Sequence, residues 1–438
     1  MKKKEISRRG FMGGSMAMLA GLGLSGSSNL FGQTSDANNE GPKIKEYRTL
    51  GRTGFKCSDI GFGSSGVTDP ALIGAILDAG VNYIDTAENY LRGQVESAIG
   101  KALKGRDRKK VFISTKLGLR ENVTKQDVIE KANKCLGRLQ MDYVDCLMIH
   151  MPSTVEALND EAYHAAIKDL KTEGKVRFSG LSNHGSQWGN VPETMEDVHL
   201  AAAEDGRFDV ALLVYNFIQR DMGENILKAY KKKNVGATLM KTNPVLNYLE
   251  MKENVDKSEE EGRDLNPRTK ALVERLKARA DRAEGFKKKY NLKNFNEIRD
   301  AAIKFVLNNP DVNSACPSIL NYNDLKAYVS LSGSKFDLKA QNTLAAYKAT
   351  YGEFYCRHAC GKCEPQCPYG VPVNTIMRYN HYFMGQGKEK AAMLDYASLQ
   401  TNKADICSAC EGYCEQACPY GVPVQGLLML AHQTLTLT

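Results

Sequence analysis

The chain has 438 residues, 42% hydrophobic and 25% charged, enough to bury one large core plus a smaller module, which excludes a disordered chain. Its net charge of +8 invites a nucleic-acid reading until it is located: Lys2, Lys3, Lys4, Arg8 and Arg9 against Glu5 supply half of it within nine residues. No basic stripe interleaved with aromatics occurs elsewhere, so nucleic acid is not expected as a partner.

The first segment, residues 1–33, places Ser7-Arg8-Arg9-Gly10-Phe11-Met12 before a mild apolar stretch, Met16 to Gly26, that is glycine-rich and short for a bilayer span. It resembles a twin-arginine export signal, which implies the Tat export machinery as a partner and a periplasmic or exported location, membrane-anchored where the signal stays uncleaved. No cysteine precedes Cys57, against a lipoprotein site, and cleavage is expected between Ser25 and Gln33. Residues 34–45 read as a polar linker. Tyr47 to Ile60, with Gly51 and Gly54 at the turn, reads as a hairpin.

From residue 46 to 345 short apolar runs alternate with amphipathic segments: VNYID, VFIST, VDCLMI, VRFSGL, DVALLVY, VGATLM and VNSACPSI each follow a helical pattern. Eight strands with helices between them predict an α/β fold, a (β/α)8 TIM barrel. A charged insert at about 247–295 reads as a solvated helix beside the barrel rim. After it, cysteine density rises, and CPYGVPV occurs twice, at Cys367 and Cys418, so residues 350–438 are expected to form a separate, small and mainly helical module.

Asp85, Tyr90, Lys116 and His150 stand at or near the ends of three successive apolar runs, and a barrel gathers its strand ends at one rim. Reducing a carbonyl by hydride needs a proton donor at the oxygen. A free tyrosine, with a pKa near ~10, is too weak an acid unless an ammonium favours its phenolate and a carboxylate holds that ammonium. The order and spacing of YRTLGRTGFKCSDIGFG, IDTAENY, VFISTK, MDYVDCLMIH, GKVRFSGLSNHG and DVALLVYNFIQ resemble the aldo-keto reductase family. That resemblance implies Tyr90 as acid, Lys116 as its activator, Asp85 as positioner and His150 as the residue orienting a small carbonyl or alcohol substrate. It implies a nicotinamide cofactor held by Gly63, Ser64, Asp85, Ser182, Asn183, Met240, Lys241, Ile319 and Asp324. Leu212 replaces an amide-contacting glutamine of the family. NADP-dependent members clamp the 2′-phosphate with basic residues after the eighth strand. Ser318 and Asp324 stand there instead, which favours NAD over NADP.

The tail carries Cys356-x3-Cys360-x2-Cys363-x3-Cys367-Pro and Cys407-x2-Cys410-x3-Cys414-x3-Cys418-Pro. These runs resemble dicluster ferredoxin-like domains, in which the last cysteine of each run closes the other run's cluster. The resemblance implies one 4Fe-4S cluster on Cys356, Cys360, Cys363 and Cys418 and another on Cys407, Cys410, Cys414 and Cys367. Each run is one residue longer than usual, and two zinc sites or four disulfides are the alternatives. Cys57, Cys135, Cys146 and Cys316 read as buried small hydrophobes. The expected function is an exported oxidoreductase interconverting a carbonyl and an alcohol, with the clusters as electron carriers to a redox partner protein. The alternatives are an iron-sulfur electron-transfer or redox-sensing protein with a non-catalytic barrel, and a reductase with a zinc- or disulfide-stapled docking tail.

Overall fold

The computed structural model describes residues 41–119, 122–185, 193–245 and 285–436. The export signal, most of the linker, Trp188 and the insert as far as residue 284 lie outside the described residues. Strands β1 (Tyr47–Thr49) and β2 (Lys56–Ser58) pair antiparallel as the expected hairpin. Phe55 of that hairpin packs against Phe112 in a tilted arrangement with ring centroids 5.3 Å apart, at the foot of the barrel interior.

Eight parallel strands follow in sequence order: β3 (Phe62–Gly63), β4 (Tyr83–Asp85), β5 (Phe112–Leu117), β6 (Val144–His150), β7 (Val176–Asn183), β8 (Val210–Val214), β9 (Gly236–Met240) and β10 (Ser314–Ala315). Bridges Ile60 to Ala315 and Gly63 to Ser318 bring the last strand back to the first. Gly63 is required at that seam, because a Cβ there would stand 2.7 Å from the Cys316 carbonyl oxygen. Strands β5 and β8 are buried along their whole length, as expected of parallel strands covered on both faces.

Helices α1 (Pro70–Asp78), α2 (Gln94–Leu103), α3 (Lys125–Leu139), α4 (Glu161–Thr172), α5 (Met195–Asp205), α6 (Arg220–Lys233), α7 (Asn296–Leu307) and α8 (Tyr322–Val329) surround the strands. Their starts are written locally. Asp69 caps α1 with Pro70 in its first turn, and Thr124 with Asp127 and Thr194 with Asp197 form reciprocal capping boxes on α3 and α5.

The tail consists of α9 (Leu338–Tyr351), α10 (Val373–Gln386), α11 (Glu389–Ala397), the one-turn α12 (Tyr413–Gln416) and α13 (Val424–Leu435). The expected boundary near 345–350 falls inside α9, so a continuous helix joins barrel to tail. One apolar cluster then unites Ile298 and Ala302 of α7, Leu344 and Tyr347 of α9, Ile376 and Phe383 of α10, and Leu428 of α13. Residues 41–438 accordingly form one compact unit. Among the described residues, no helix is long and apolar enough to cross a membrane.

Candidate active site

Lys116 is fully buried at the end of β5. Its ammonium donates to Asp85 Oδ2 at 2.7 Å and to the Thr86 carbonyl at 2.7 Å. Tyr90 Oη accepts from the same ammonium at 3.5 Å. The Tyr90 and His150 rings meet edge to face with centroids 6.1 Å apart. The four residues singled out in the sequence therefore converge, as the barrel topology requires.

Burial pushes the Tyr90 hydroxyl above the ordinary tyrosine value; Lys116 pulls it down, and Asp85 pushes it back up. The expected lowering by Lys116 is thus present but outweighed. Burial opposes the charge of Lys116, yet Asp85 and Tyr90 hold its pKa above the usual lysine value. His150 is depressed to about 3 by burial and by Lys116 and Lys241, so its imidazole is neutral at physiological pH.

Left-handed non-glycine residues follow three of these rim positions: Leu91 and Arg92 after Tyr90, Met151 after His150, and Lys241 after Met240. Such backbone is costly and concentrates at functional sites.

The expected cofactor contacts lie along the same rim. Ser64 Oγ donates to the Asp85 carbonyl at 2.7 Å, Asn183 Oδ1 accepts from Gly185 N at 2.8 Å, and Met240 is half-buried at the end of β9. Ser182 Oγ and Asp85 Oδ1 are buried with no hydrogen-bond partner. Ile319 is fully buried in the main core. Asp324 Oδ2 accepts from Leu320 N and Asn321 Nδ2, both at 3.0 Å. One of its oxygens is thus committed to the start of α8. Leu212 packs in the barrel interior beside Cys146 and Met148.

In the tail, a pocket is lined by Cys356, Cys360, Cys363 and Cys418, with Asn374 and Tyr420 among its other walls. Cys367 lies close enough to Cys407 and Cys414 to raise both thiols, with Cys410 acting on the same pair. None of the twelve cysteines is disulfide-bonded. Cys57, Cys135, Cys146 and Cys316 are all buried. Among the described residues, no three His, Cys, Asp or Glu side chains gather closely enough to hold a single metal ion.

The tail roofs the barrel rim, a contact not among the expectations drawn from the sequence. Gln219 Nε2 donates to the His358 carbonyl at 2.7 Å, Met195 N donates to the Ala359 carbonyl at 2.8 Å, and Asn216 Nδ2 donates to Tyr355 Oη at 3.1 Å. Arg378 of α10 reaches the His184 carbonyl at 3.5 Å. It does so past Gly185, which has φ +112° and where a Cβ would stand 2.7 Å from the guanidinium. On the far side of the rim, Lys388 donates to Ser65 Oγ at 3.1 Å. The available signal was the run IMRYNHYF, which puts Arg378, His381 and Tyr382 on one face of a helix whose other faces are apolar.

Among characterised proteins, the aldo-keto reductase YhdN of Bacillus subtilis is 28% identical over 214 residues, covering 44% of this chain and 61% of that one. An NADH-specific methylglyoxal reductase of Escherichia coli is 30% identical over 203 residues, covering 41% of this chain and 59% of its own. The chain spans about half the length of the curated relatives it matches. Among solved structures, an aldo-keto reductase from Bacillus halodurans in its holo form aligns with a TM-score of 0.49 at 21% identity, covering 69% of this chain and 96% of that one. The profile of the aldo/keto reductase family matches residues 67–346, a span that contains Asp85, Tyr90, Lys116 and His150 and most of the barrel. The chain belongs to the aldo/keto reductase family.

Proposed function

We propose that the protein interconverts a carbonyl and an alcohol with a nicotinamide dinucleotide. The observation that carries this reading is the buried Lys116 ammonium held between Asp85 and Tyr90, with His150 facing the phenol. Tyr90 gives its Oη proton to the carbonyl oxygen as charge develops there, and takes it back in the oxidative direction. Lys116 stabilises the phenolate that remains, and Asp85 balances Lys116. His150, neutral throughout, offers its ring N–H to the same oxygen and orients it.

A bound nicotinamide would supply the hydride. The residues present suit it: Ser182 Oγ, next to Asn183 at the end of β7, and Asp85 Oδ1, at the end of β4, are buried polar atoms without partners. NAD is favoured over NADP by Ser318 and Asp324 after the last strand, and an NADH-specific enzyme stands among the relatives.

The tail is suited to two iron-sulfur clusters of crossed ligation, which when bound would carry single electrons. Support comes from the cysteine-lined cavity and from Cys367 lying beside the second run. Export by the twin-arginine route on residues 1–33 completes the reading, because it would carry a folded, cofactor-loaded protein out of the cytoplasm.

The test is Tyr90→Phe. Aldehyde reduction should fall by at least ~10² while dinucleotide binding, followed by nicotinamide fluorescence, persists. Activity retained within about tenfold removes Tyr90 as the acid.

A further inference from the structure

The roof over the rim carries charges that carbonyl chemistry does not use. Lys241, half-buried after β9, holds its ammonium 5.4 Å from the ring centre of Tyr382. The charged groups acting on it are Arg378 and Lys388, both of its own sign. Lys388 has Ser65 Oγ as a hydrogen-bond acceptor and no ion-pair partner among the described residues. Arg378 differs, because Glu364 and Asp395 lie near enough to offset it.

Two imidazoles face the same region. His184 and His358 are 8% and 3% exposed, and His184 Nδ1 and His358 Nε2 have no hydrogen-bond partner. Lys241 is the largest charge influence on each, and the His358 ring lies 4.8 Å from that of His381. Half-buried amines without a counter-charge are pushed toward the neutral form, and beside buried nitrogens without partners they keep their protons best when an anion with several acceptor oxygens completes the set.

We propose that Lys241, Lys388, His184 and His358 form a subsite for an anionic oxygen group, a carboxylate or phosphate carried by the carbonyl substrate. This rests on the carbonyl-oxidoreductase reading. Lys241 is also among the expected nicotinamide contacts, all of which come from the barrel; the anion is assigned to the substrate because His358 and Lys388, which complete the set, come from the tail. The tail is then part of the substrate site, and its roof selects what the barrel reduces.

Full-length, metal-loaded protein is titrated with inorganic phosphate by calorimetry. In parallel, kcat/KM is compared for glyceraldehyde 3-phosphate and glyceraldehyde, which share the aldehyde and differ in the phosphate. We expect saturable phosphate binding and a preference of at least about tenfold for the phosphorylated aldehyde, reduced severalfold or more in Lys388→Gln. Wild-type protein that binds no phosphate, or that favours glyceraldehyde, overturns the proposal without recourse to any variant. NADH titration of Lys388→Gln separates the two sources of phosphate. Weakened NADH binding with an unchanged aldehyde preference gives these cations to the cofactor and also overturns it. If neither aldehyde turns over, the carbonyl reading fails by itself. In that case phosphate binding that weakens in Lys388→Gln supports the anion site, and its absence overturns it.

Discussion

Apart from Lys241 at the rim, buried charges in the barrel meet partners within the fold. Lys116 is answered by Asp85, Glu96 accepts from Thr115 and Arg138 at 2.6 Å each, and Asp145 accepts from Arg108 at 2.6 Å and Arg177 at 2.9 Å. In the tail, burial and mutual crowding raise the thiols instead: Cys363 and Cys407 to about 12 and Cys414 to about 11, with Cys356 and Cys360 also raised. Strands and helix caps fix the barrel's chemistry before any ligand arrives. The tail's thiols are gathered mainly by loops and short turns.

The sharpest way to break this comparison is to remove one cysteine from each run. With crossed ligation, Cys418→Ala and Cys363→Ala should abolish the same metal centre, read by iron content and electron paramagnetic resonance. Because metal binding contributes folding energy, and because α7, α9 and α10 share one apolar cluster, the loss should lower the thermal midpoint of the whole described unit in a single calorimetric transition. Loss of different centres in the two variants refutes the crossing. A barrel transition that stays put while the tail melts refutes the shared core.

A test on the barrel side is Asp85→Asn, which leaves Lys116 buried with no carboxylate. Breaking a buried pair by removing one partner costs about 3–5 kcal/mol, to be read from denaturant unfolding. A cost below about 1 kcal/mol would mean that Thr86 and Tyr90 suffice to hold the ammonium.

Acid should weaken the barrel more gradually. Burial depresses His150 to about 3 and His199 to about 4, from 6.5. Between those values and 6.5 the unfolded chain binds more protons than the folded one. This contribution is therefore complete above pH 6.5 and lost as pH falls through that window. Asp59, raised by burial, acts in the opposite sense. His199→Gln should thus flatten the fall in stability between pH 6.5 and 4, and an unchanged slope would acquit His199.

How much of this could be read from the sequence follows the same division. Asp85, Lys116 and His150 were legible because strand periodicity fixes where a parallel strand ends and barrel closure fixes that the ends meet. The cysteine runs were legible because close spacing confines their thiols to tight loops. The roof was not. Whether Arg378 and His381 turn toward solvent or toward the rim depends on which faces of α9 and α10 find α7, a non-local packing choice that the run IMRYNHYF puts on one face but does not decide. The same limit applies to Asp324, read from its position as a ribose partner, whereas Asn321 three residues earlier makes it half of a helix start.

Asp324 carries the smallest expected effect and sharpens the comparison, because it asks whether a barrel group satisfied within the fold still serves a ligand. Its Oδ2 accepts from Leu320 N and Asn321 Nδ2. Asp324→Ala should therefore cost about 1 kcal/mol of stability, the usual worth of a side chain at a helix start. If the other carboxylate oxygen meets the adenosine ribose, the same variant should also narrow the NAD preference, because a carboxylate there accepts from a free 2′-hydroxyl and repels a 2′-phosphate. Parallel melts and titrations with NADH and NADPH decide between one role and two. A lowered midpoint with an unchanged affinity ratio assigns Asp324 wholly to the helix start, and the preference for NAD then has to rest on Ser318 and the lack of a basic clamp.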